Sequence, residues 1–296
     1  MDLRKTTVVI GGGTMGADIA LTTARVGCPT HLVEPGDARR MALASTTAPG
    51  ITLHASLDTV PWPRVEVVIE AIPEKLEPKR QLFAELVRRC TAAAWLTSNS
   101  SAIPISRIGA GLPTRARMFG LHYFMPAHSV PLVEVVCSEA SDPALADALC
   151  DFMRATGKVP VKVKKDVPGF LANRLQHALC REAFALIESG VATAADVDLA
   201  VRFSFGFRFV AVGPVMQRDH AGLDVHCAAA ATIYPDLADN KEPARVLRDL
   251  VAAGHHGIKA GRGFYEWTPE TIARERERYD RLLEKALELI RDEIPR

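Results

Sequence analysis

The first half of the chain alternates short apolar runs with longer stretches in which apolar residues recur every three or four positions. Runs such as TTVVI and VEVVIE are typical of strands, and the stretches 15–27 and 77–90 have the period of amphipathic helices. This alternation predicts an α/β domain with a parallel, doubly wound sheet. The predicted strands are 6–10, 30–33, 65–70, 94–98, 117–123, 132–136 and 159–163.

The pattern changes after Pro168, where leucine and isoleucine keep roughly helical spacing. Gly190 is a candidate helix stop, and Thr193 with an aspartate three positions later resembles a capping box. We therefore predict two domains, an α/β domain over residues 1–165 and an all-α C-terminal domain over residues 166–296.

One stretch of the second domain, VRFSFGFRFVAVGP over 201–214, has phenylalanine at every second position. Such alternation is by itself typical of a half-buried strand. Because the surrounding pattern is helical, we expect instead a helix that ends near Phe203, a loop, and a new segment at Gly213. The tail over 269–294 is expected to form an amphipathic helix that packs on its own protein or on a partner subunit.

Composition narrows the classes of partner. The chain has 296 residues, of which 48% are hydrophobic, and its net charge of +1 argues against nucleic acid binding. The six cysteines form no C-x-x-C pair, which fits reduced thiols in the cytoplasm. We see no signal-peptide core, no apolar run of about 18 residues and no metal-ligand spacing. We therefore expect a soluble, cytoplasmic protein without a metal site or a membrane partner.

The segment VVIGGGTMGADIA follows the first predicted strand and opens a helix. Gly11, Gly13 and Gly16 form a G-x-G-x-x-G motif in the context that dinucleotide binding requires. The first glycine allows a tight turn, the second lets the backbone approach a pyrophosphate, and the third allows close packing of helix on strand. Thr14 and Met15 open the helix, where backbone amides would face the phosphates. The motif predicts a Rossmann-type dinucleotide-binding domain.

The end of the second predicted strand carries Glu34. A carboxylate at this position accepts hydrogen bonds from both ribose hydroxyls and repels a 2′-phosphate, which favours NAD over NADP. Arg39 and Arg40 follow closely and are able to approach a 2′-phosphate, so NADP stays open as an alternative on these residues alone.

Several further stretches resemble, in order and over nearly the whole chain, the 3-hydroxyacyl-CoA dehydrogenase family. This resemblance implies an NAD-dependent dehydrogenase and a homodimer formed through the C-terminal helical domain. The stretches are EAIPEKLEPK (70–79), TSNSSAIPIS (97–106), GLHYFMPAHSVPLVEVV (120–136), KKDVPGFLANR (164–174) and IKAGRGFYEW (258–267).

Oxidation of an alcohol by hydride transfer requires a base for the hydroxyl proton, and histidine has a suitable pKa for this near neutral pH. His122 lies at the end of a predicted strand, and Glu134 lies in a following one. The resemblance implies that these two residues are the catalytic His–Glu pair. It also implies that Ser101 bonds the substrate oxygen and that Asn173 steadies the developing oxyanion. Taken singly, each residue also has a structural explanation, such as a core histidine or a helix cap.

The resemblance assigns a further group of residues to the surroundings of the cofactor ribose and nicotinamide. The group consists of Glu74, Lys79, Asn99 and Lys259.

His128, His255 and His256 gain no such support from the resemblance and are interpreted as loop or surface residues.

The chain departs from the CoA-binding members of the family. Those members carry a helical arm between the second and third strands, whereas the interval 34–65 has room for one crossover helix around 37–46 and a short strand, ITLH. Met125 stands in place of the asparagine of F-N-P, and Pro131 in place of a lysine before L-V-E. These departures resemble the branch that contains lambda-crystallin (L-gulonate 3-dehydrogenase), carnitine dehydrogenase and a vitamin B6-degradation dehydrogenase.

The phenylalanine-rich run indicates the same branch. Its stretch 206–214 is longer than the corresponding turn of CoA-binding members and contains Arg208. We expect Arg208 to hold a substrate carboxylate through a bidentate contact, although a surface or interface arginine is an equal alternative.

The sequence therefore predicts an NAD-dependent dehydrogenase that oxidises the hydroxyl of a small hydroxy acid or a related hydroxymethyl compound, with a His–Glu pair as general base. One alternative is a 3-hydroxyacyl-CoA dehydrogenase that acts on a CoA thioester. Another is a non-catalytic NAD-binding or structural protein.

Overall fold

The computed structural model of the protein describes residues 4–45 and 48–294, and these form two compact units. The first unit runs to Asn173 and includes Ile294, and the second spans Arg174–Glu293. The predicted boundary between 165 and 166 stays a prediction. Position 46, the predicted end of the crossover helix, lies outside the described residues.

The first unit is built on one sheet of eight strands among the described residues. Its order is β3-β2-β1-β4-β5-β6-β7-β8, and every neighbouring pair is parallel except β6 with β7. Each predicted strand is present, which confirms the doubly wound α/β class. The strands are β1 Thr7–Ile10, β2 Thr30–Val33, β3 Ile51–His54, β4 Val67–Glu70, β5 Trp95–Ser98, β6 Met118–Tyr123, β7 Leu132–Cys137 and β8 Val159–Val163.

Helices cover both faces of this sheet, because consecutive strand residues point to opposite sides. Val9 and Leu32 pack in a core cluster on one face, whereas their neighbours Val8 and Val33 pack in a second cluster on the other. Each buried aliphatic side chain contributes about 1.5–3 kcal/mol, so both faces hold the sheet. The helices are α1 Thr14–Arg25, α2 Asp37–Ala44, α3 Leu76–Arg89, α4 Ile105–Ile108 and α5 Pro143–Ala155.

The second unit is all-α, as predicted. The predicted capping box is present: the Thr193 hydroxyl accepts from the backbone of Asp196, whose carboxylate accepts from the backbone of Thr193. Its first helix, α6, begins at Ala172, at the end of the first unit, and continues into the second unit. The helices are α6 Ala172–Glu188, α7 Ala194–Phe203, α8 Phe205–Arg208, α9 Pro214–Ala221, α10 Leu223–Ile233, α11 Arg245–Ala252 and α12 Pro269–Leu289.

Two local expectations need correction. The run after Phe203 is not one continuous loop, because Ser204 breaks α7 and the chain forms the short helix α8 before the turn to Gly213. The phenylalanines therefore follow helical rather than strand geometry. The tail helix is shorter than predicted, since α12 ends at Leu289 and a 3₁₀ turn follows over Arg291–Glu293.

Burial differs sharply between the two units. The first contains all of the buried core, whereas none of residues 174–293 is buried, although they include many large apolar side chains. Within 4–45 and 48–294, no helix combines the length and the hydropathy that crossing a bilayer requires.

Candidate active site and cofactor-binding loop

The glycine-rich turn joins β1 to α1 at the point where the strand order reverses, since β1 lies between β2 and β4. Gly11 has a φ of +105°, and a Cβ there would lie 2.7 Å from the carbonyl oxygen of Ala71. A Cβ on Gly16 would lie 1.8 Å from the carbonyl oxygen of Gly11. Both positions thus exclude any side chain. A Cβ on Gly13 would point into open space, with none of the described atoms beyond its immediate chain neighbours within 4 Å, so a ligand can approach this backbone closely.

The start of α1 fits a phosphate group. Gly13 caps the helix and supplies no side-chain hydrogen bond to it, and the first turn contains no acidic residue. The backbone amides of Thr14 and Met15 therefore face outward at the positive end of the helix dipole, where an anion is stabilised. The assignment of the glycines, Thr14 and Met15 to a cofactor pyrophosphate stays a prediction.

Glu34 directly follows β2, and its carboxylate is held against the glycine-rich turn. The N–H of Gly12 donates to Oε2 at 2.9 Å, and the N–H of Gly36 donates to Oε1 at 2.7 Å. A Cβ on Gly12 would lie 2.9 Å from Oε2 and 2.8 Å from Cδ1 of Leu43. Gly12, which the motif leaves unspecified, is therefore required for packing under Glu34.

The two arginines after Glu34 have different surroundings. Arg39 is exposed, and its Nε donates to the Gly12 carbonyl at 2.8 Å. Arg40 donates to the Glu34 carbonyl at 2.8 Å and pairs with Asp37. The Arg40 guanidinium is thus engaged within α2 and the preceding turn, whereas Arg39 borders the Gly12–Glu34 contact.

A cleft of about 400 Å³ opens beside this turn, at the carboxyl ends of β1 and β2. Its walls are mainly apolar, as in most pockets that bind small molecules. They include Gly11, Val33, Pro35, Ser56, Ile72 and Leu82.

His122 and Glu134 face each other on neighbouring antiparallel strands, β6 and β7, as directly paired residues. The Nδ1 atom of His122 lies 2.8 Å from Oε2 of Glu134, and both side chains are buried. Because a carboxylate only accepts, the imidazole carries its hydrogen on Nδ1. The neutral ring therefore presents the lone pair of Nε2, which lies 3.2 Å from the Ser101 hydroxyl.

The other oxygen of Glu134 accepts two backbone hydrogen bonds at the start of α6. The N–H of Leu171 donates at 3.1 Å and the N–H of Ala172 at 2.7 Å. Burial alone would raise the pKa of Glu134, but the bonds from His122 and from these two amides outweigh it and lower the pKa. The carboxylate thus stays charged near neutral pH and stabilises an imidazolium.

The two predicted asparagines, Asn99 and Asn173, form hydrogen bonds with the segments that carry His122 and Ser101. The Asn173 amide donates to the main-chain oxygen of Ser101 at 3.3 Å, and the N–H of Tyr123 donates to Oδ1 of Asn99 at 2.8 Å. The structure therefore brings Ser101, His122, Glu134 and Asn173 together, from segments far apart in the chain.

Glu74 and Lys79 belong to a network that extends inward from this site. The ammonium of Lys79, which is 1% exposed, lies 2.7 Å from Oε1 of Glu70 and 3.4 Å from Oε2 of Glu74. The Glu74 carboxylate accepts from the Ser100 hydroxyl at 2.6 Å and from the amides of 101–103. Burial would raise the pKa of Glu74, but the Ser100 bond, the amides of Ala102 and Ile103, and the charge of Lys79 lower it. This carboxylate therefore holds the Ser101 segment.

Glu70 was not among the predicted site residues, although it is fully buried at the end of β4 and is bonded by Lys79 and by the Ser98 hydroxyl at 2.6 Å. The sequence feature that could have identified Glu70 is a charged residue at the end of an apolar strand, where it begins the E-x-x-x-E pattern of residues 70–74. A buried charge needs a buried partner, which Lys79 supplies.

The remaining predicted residues lie in the second unit. Arg208 ends α8 and is exposed, and Lys259 lies in a 3₁₀ turn over Ile258–Ala260. Their assignments stay predictions. Within the described ranges, no group of three His, Cys, Asp or Glu side chains is placed to bind a metal ion.

The doubly wound sheet, its glycine-rich first turn and the acidic residue after β2 define the class of NAD-dependent dehydrogenases. Two family models match the chain: 3-hydroxyacyl-CoA dehydrogenase, NAD binding domain, over residues 41–167, and 3-hydroxyacyl-CoA dehydrogenase, C-terminal domain, over residues 169–267. The chain belongs to the 3-hydroxyacyl-CoA dehydrogenase family, as the sequence motifs predicted, and NAD is its cofactor.

The chain is similar to an enzyme whose name specifies a pyridine carboxylate. It is 33% identical over 293 residues to 5-formyl-3-hydroxy-2-methylpyridine 4-carboxylate 5-dehydrogenase of Mesorhizobium japonicum, covering 93% of this chain and 95% of that protein. A crystal structure of such a 5-dehydrogenase, an NAD⁺-dependent dismutase, gives a TM-score of 0.89 at 30% identity, covering 96% of this chain and 98% of that one.

A CoA-handling relative is as similar in sequence but less similar in structure. The crystal structure of the 3-hydroxyacyl-CoA dehydrogenase of Archaeoglobus fulgidus gives a TM-score of 0.72, also at 30% identity, with 97% of this chain and 99% of that chain covered. Sequence identity alone therefore does not separate the two groups.

Proposed function

We propose that this dehydrogenase oxidises the hydroxyl group of a small carboxylate-bearing substrate, with His122 as general base. The observation that carries the proposal is the chain of contacts from Glu134 through His122 to Ser101. In the reaction R₂CHOH + NAD⁺ → R₂C=O + NADH + H⁺, Nε2 of His122 takes the hydroxyl proton. When bound, NAD would serve as the hydride acceptor.

The neighbouring side chains have distinct proposed roles. Ser101 donates its hydroxyl to the substrate oxygen and so aligns it with Nε2 of His122. Asn173 fixes the Ser101 segment through its bond to the main-chain oxygen, and the second N–H of its amide is proposed to steady negative charge that develops on the substrate oxygen. Glu134 stabilises the imidazolium that forms.

The cofactor assignments follow the loop geometry. Gly11, Gly13, Gly16 and the amides of Thr14 and Met15 would hold the pyrophosphate. Glu34 would accept from the adenosine ribose, with the adenine in the adjacent apolar cleft. Asn99, Glu74, Lys79 and Lys259 are proposed to surround the nicotinamide half. Of these, Lys79 would act by holding Glu74, since its own ammonium is buried.

Two observations support a small free acid as the substrate rather than a CoA thioester. Between β2 and β4, the described residues form only α2, β3 and two short 3₁₀ turns, which leaves no projecting helical arm among them. The second is the higher TM-score with an enzyme whose name specifies a small pyridine carboxylate bearing a formyl group. A hydrated formyl group is itself a carbon bearing hydroxyl and hydrogen, so the same base would serve it.

A substrate panel tests this proposal against the CoA alternative, which the similarity to the Archaeoglobus fulgidus enzyme favours. NADH absorbance is followed with 3-hydroxy acids, carnitine, L-gulonate, pyridine methanols and pyridine aldehydes carrying a carboxylate, and with acetoacetyl-CoA plus NADH in reverse. We expect turnover with a free acid. Efficient turnover of the thioester at micromolar KM would contradict the small-acid proposal, and NAD binding without any turnover would favour a non-catalytic protein.

Arg208 is proposed to bind the substrate carboxylate. Replacing it by methionine, Arg208→Met, should raise KM for the acidic substrate by roughly tenfold or more and leave the KM for NAD unchanged, because a charge-assisted bidentate contact is lost. Arg208→Lys should recover only part of the affinity. The matched control is Arg202→Met, an exposed arginine one helix away that stacks on Phe203. Equal KM values for Arg208→Met and wild type would remove Arg208 from the site.

We further propose that a second copy of the chain covers the second unit, giving a homodimer. None of residues 174–293 is buried, and large apolar side chains such as Phe203, Phe207 and Val215 are more than two-thirds exposed. A unit of this size normally buries over half of the surface of its unfolded chain. Sedimentation should give about twice the chain mass of 32.1 kDa at micromolar concentration. A stable monomer would contradict the dimer.

A further inference from the structure

The segment that joins β8 to α6 contains an unusual backbone conformation. Phe170 has a φ of +50°, and it is the sole non-glycine residue with a positive φ in the described ranges 4–45 and 48–294. Gly169 before it has a φ of +75°. The left-handed region is unfavourable for a bulky side chain, so a glycine would be expected at position 170 unless the phenylalanine ring has a role.

The backbone consequence of this turn is the approach of two amides to Glu134. The N–H of Phe170 donates to the Val167 carbonyl at 2.9 Å, which closes the turn. The next two N–H groups, of Leu171 and Ala172, then both donate to Oε1 of Glu134. The left-handed residue therefore sets the direction in which the start of α6 meets this carboxylate.

The side-chain consequence is a contact with the imidazole. Phe170 is 2% exposed, and its ring centroid lies 5.6 Å from that of His122 in an edge-on arrangement at 61°. A second ring, that of Phe124, lies edge-on to the same imidazole at 4.5 Å. With Nδ1 of His122 bonded to Glu134, these rings restrict the remaining freedom of the imidazole to tilt.

We propose that Phe170 is a positioning residue for the general base. Its left-handed backbone aims two amides at Glu134, and its buried ring keeps Nε2 of His122 directed at the substrate hydroxyl. This inference rests on the proposed function, since it requires that His122 takes the proton. It explains why phenylalanine occupies a position that glycine would adopt without strain.

Two variants test the contribution of the Phe170 ring separately from that of the left-handed turn. Phe170→Gly keeps the left-handed turn without strain and removes the ring, whereas Phe170→Leu keeps an apolar side chain and removes the aromatic edge. Both should lower kcat by about tenfold to a hundredfold, because a small misplacement of a reacting group has a cost of that order. The KM for NAD and the NADH affinity measured by nicotinamide fluorescence should stay within about twofold of wild type, since neither depends on this ring.

The kinetic isotope effect distinguishes positioning from a general structural role. With the panel compound that is turned over fastest, deuterated at its carbinol carbon, the isotope effect on kcat should rise in both variants because the hydride step becomes slower. Phe152→Leu is the matched control, since Phe152 is a fully buried phenylalanine that packs on Trp95. That variant should lower the melting temperature without changing the isotope effect.

The outcomes are distinguishable from a failure of the proposed function. Wild-type kcat in Phe170→Gly, with an inactive His122→Ala enzyme, would overturn the role of Phe170 alone. Reduced kcat with an unchanged isotope effect, or with a parallel rise in the KM for NAD, would also overturn it. Full activity of His122→Ala would overturn the proposed function itself.

Discussion

Replacement of His122 by alanine is expected to lower kcat by about 10²–10⁴-fold while NADH binds with wild-type affinity. The imidazole is the group whose Nε2 faces the Ser101 hydroxyl, and its Nδ1 is committed to Glu134. Removing it leaves no base for the hydroxyl proton. The dinucleotide loop lies on other segments, so cofactor binding should be unchanged. Steady-state kinetics and NADH fluorescence titration measure the two effects separately.

His128→Ala is the matched control for this experiment. His128 is an exposed histidine in the connection that follows β6, and its Nδ1 lies 3.1 Å from Oδ2 of Asp18. Its loss should change kcat by less than about twofold, since it makes no contact with the His122–Glu134 pair among the described residues. Full turnover by the His122→Ala enzyme would exclude the general-base role. Lost NADH affinity in the same enzyme would indicate a structural role instead.

The strands of the first unit were predictable because each is an apolar run bounded by turn residues, and a parallel sheet buried on both faces makes such runs continuous. The glycine motif was predictable for the same local reason, since Gly11, Gly13 and Gly16 occupy fixed positions between a strand and a helix. The capping box at Thr193 also depends only on residues three positions apart.

Other features depend on contacts between distant segments and were not predictable. Gly12 is required because Glu34 and Leu43 pack against it, and nothing in the local sequence states this. The Glu70–Lys79 pair forms because β4 and α3 bring both groups into the interior. The positive φ of Phe170 could not be predicted either, since the residue type argues against it.

The phenylalanine-rich run shows why a period of two is weak as an indicator of strands. Its alternation spans the end of α7, the break at Ser204 and the short helix α8, so Phe205 and Phe209 become neighbours at 5.7 Å through helical spacing. A one-residue break between two helices changes which face each later residue occupies. The regular spacing of phenylalanines across the break is therefore coincidental and does not indicate a strand.

The candidate site follows from how the first unit joins its segments. β6 and β7 are the single antiparallel pair of the described sheet, and only that pairing places His122 directly opposite Glu134. In a parallel sheet the connection between neighbours needs a crossover, so residues as close in sequence as these would not meet. The reversal of direction between β6 and β7 therefore brings a base and its carboxylate together across one short connection.

Replacement of Glu34 by serine is expected to reverse the cofactor preference. The carboxylate would repel a 2′-phosphate by about 4 kcal/mol at 4 Å in a surface environment, and it accepts the ribose hydroxyls of NAD. In the wild type, the amides of Gly12 and Gly36 donate to this carboxylate. Its removal frees both amides beside the exposed guanidinium of Arg39. Two amides and an arginine are the groups that bind phosphate well. The ratio of kcat/KM for NADP to that for NAD should rise by roughly 10³-fold.

Matched variants show whether the change in cofactor preference comes from the lost charge of Glu34 and from a contact with Arg39. Glu34→Asp keeps the carboxylate and should keep the preference for NAD. The double variant Glu34→Ser with Arg39→Ala should lose most of the gain in NADPH affinity, as measured by fluorescence titration independently of turnover. Arg40→Ala in the same background should lose little of it, because Arg40 is committed to Asp37 and to the Glu34 carbonyl. An equal loss in both double variants would mean that the charge of α2, rather than Arg39 itself, attracts the phosphate.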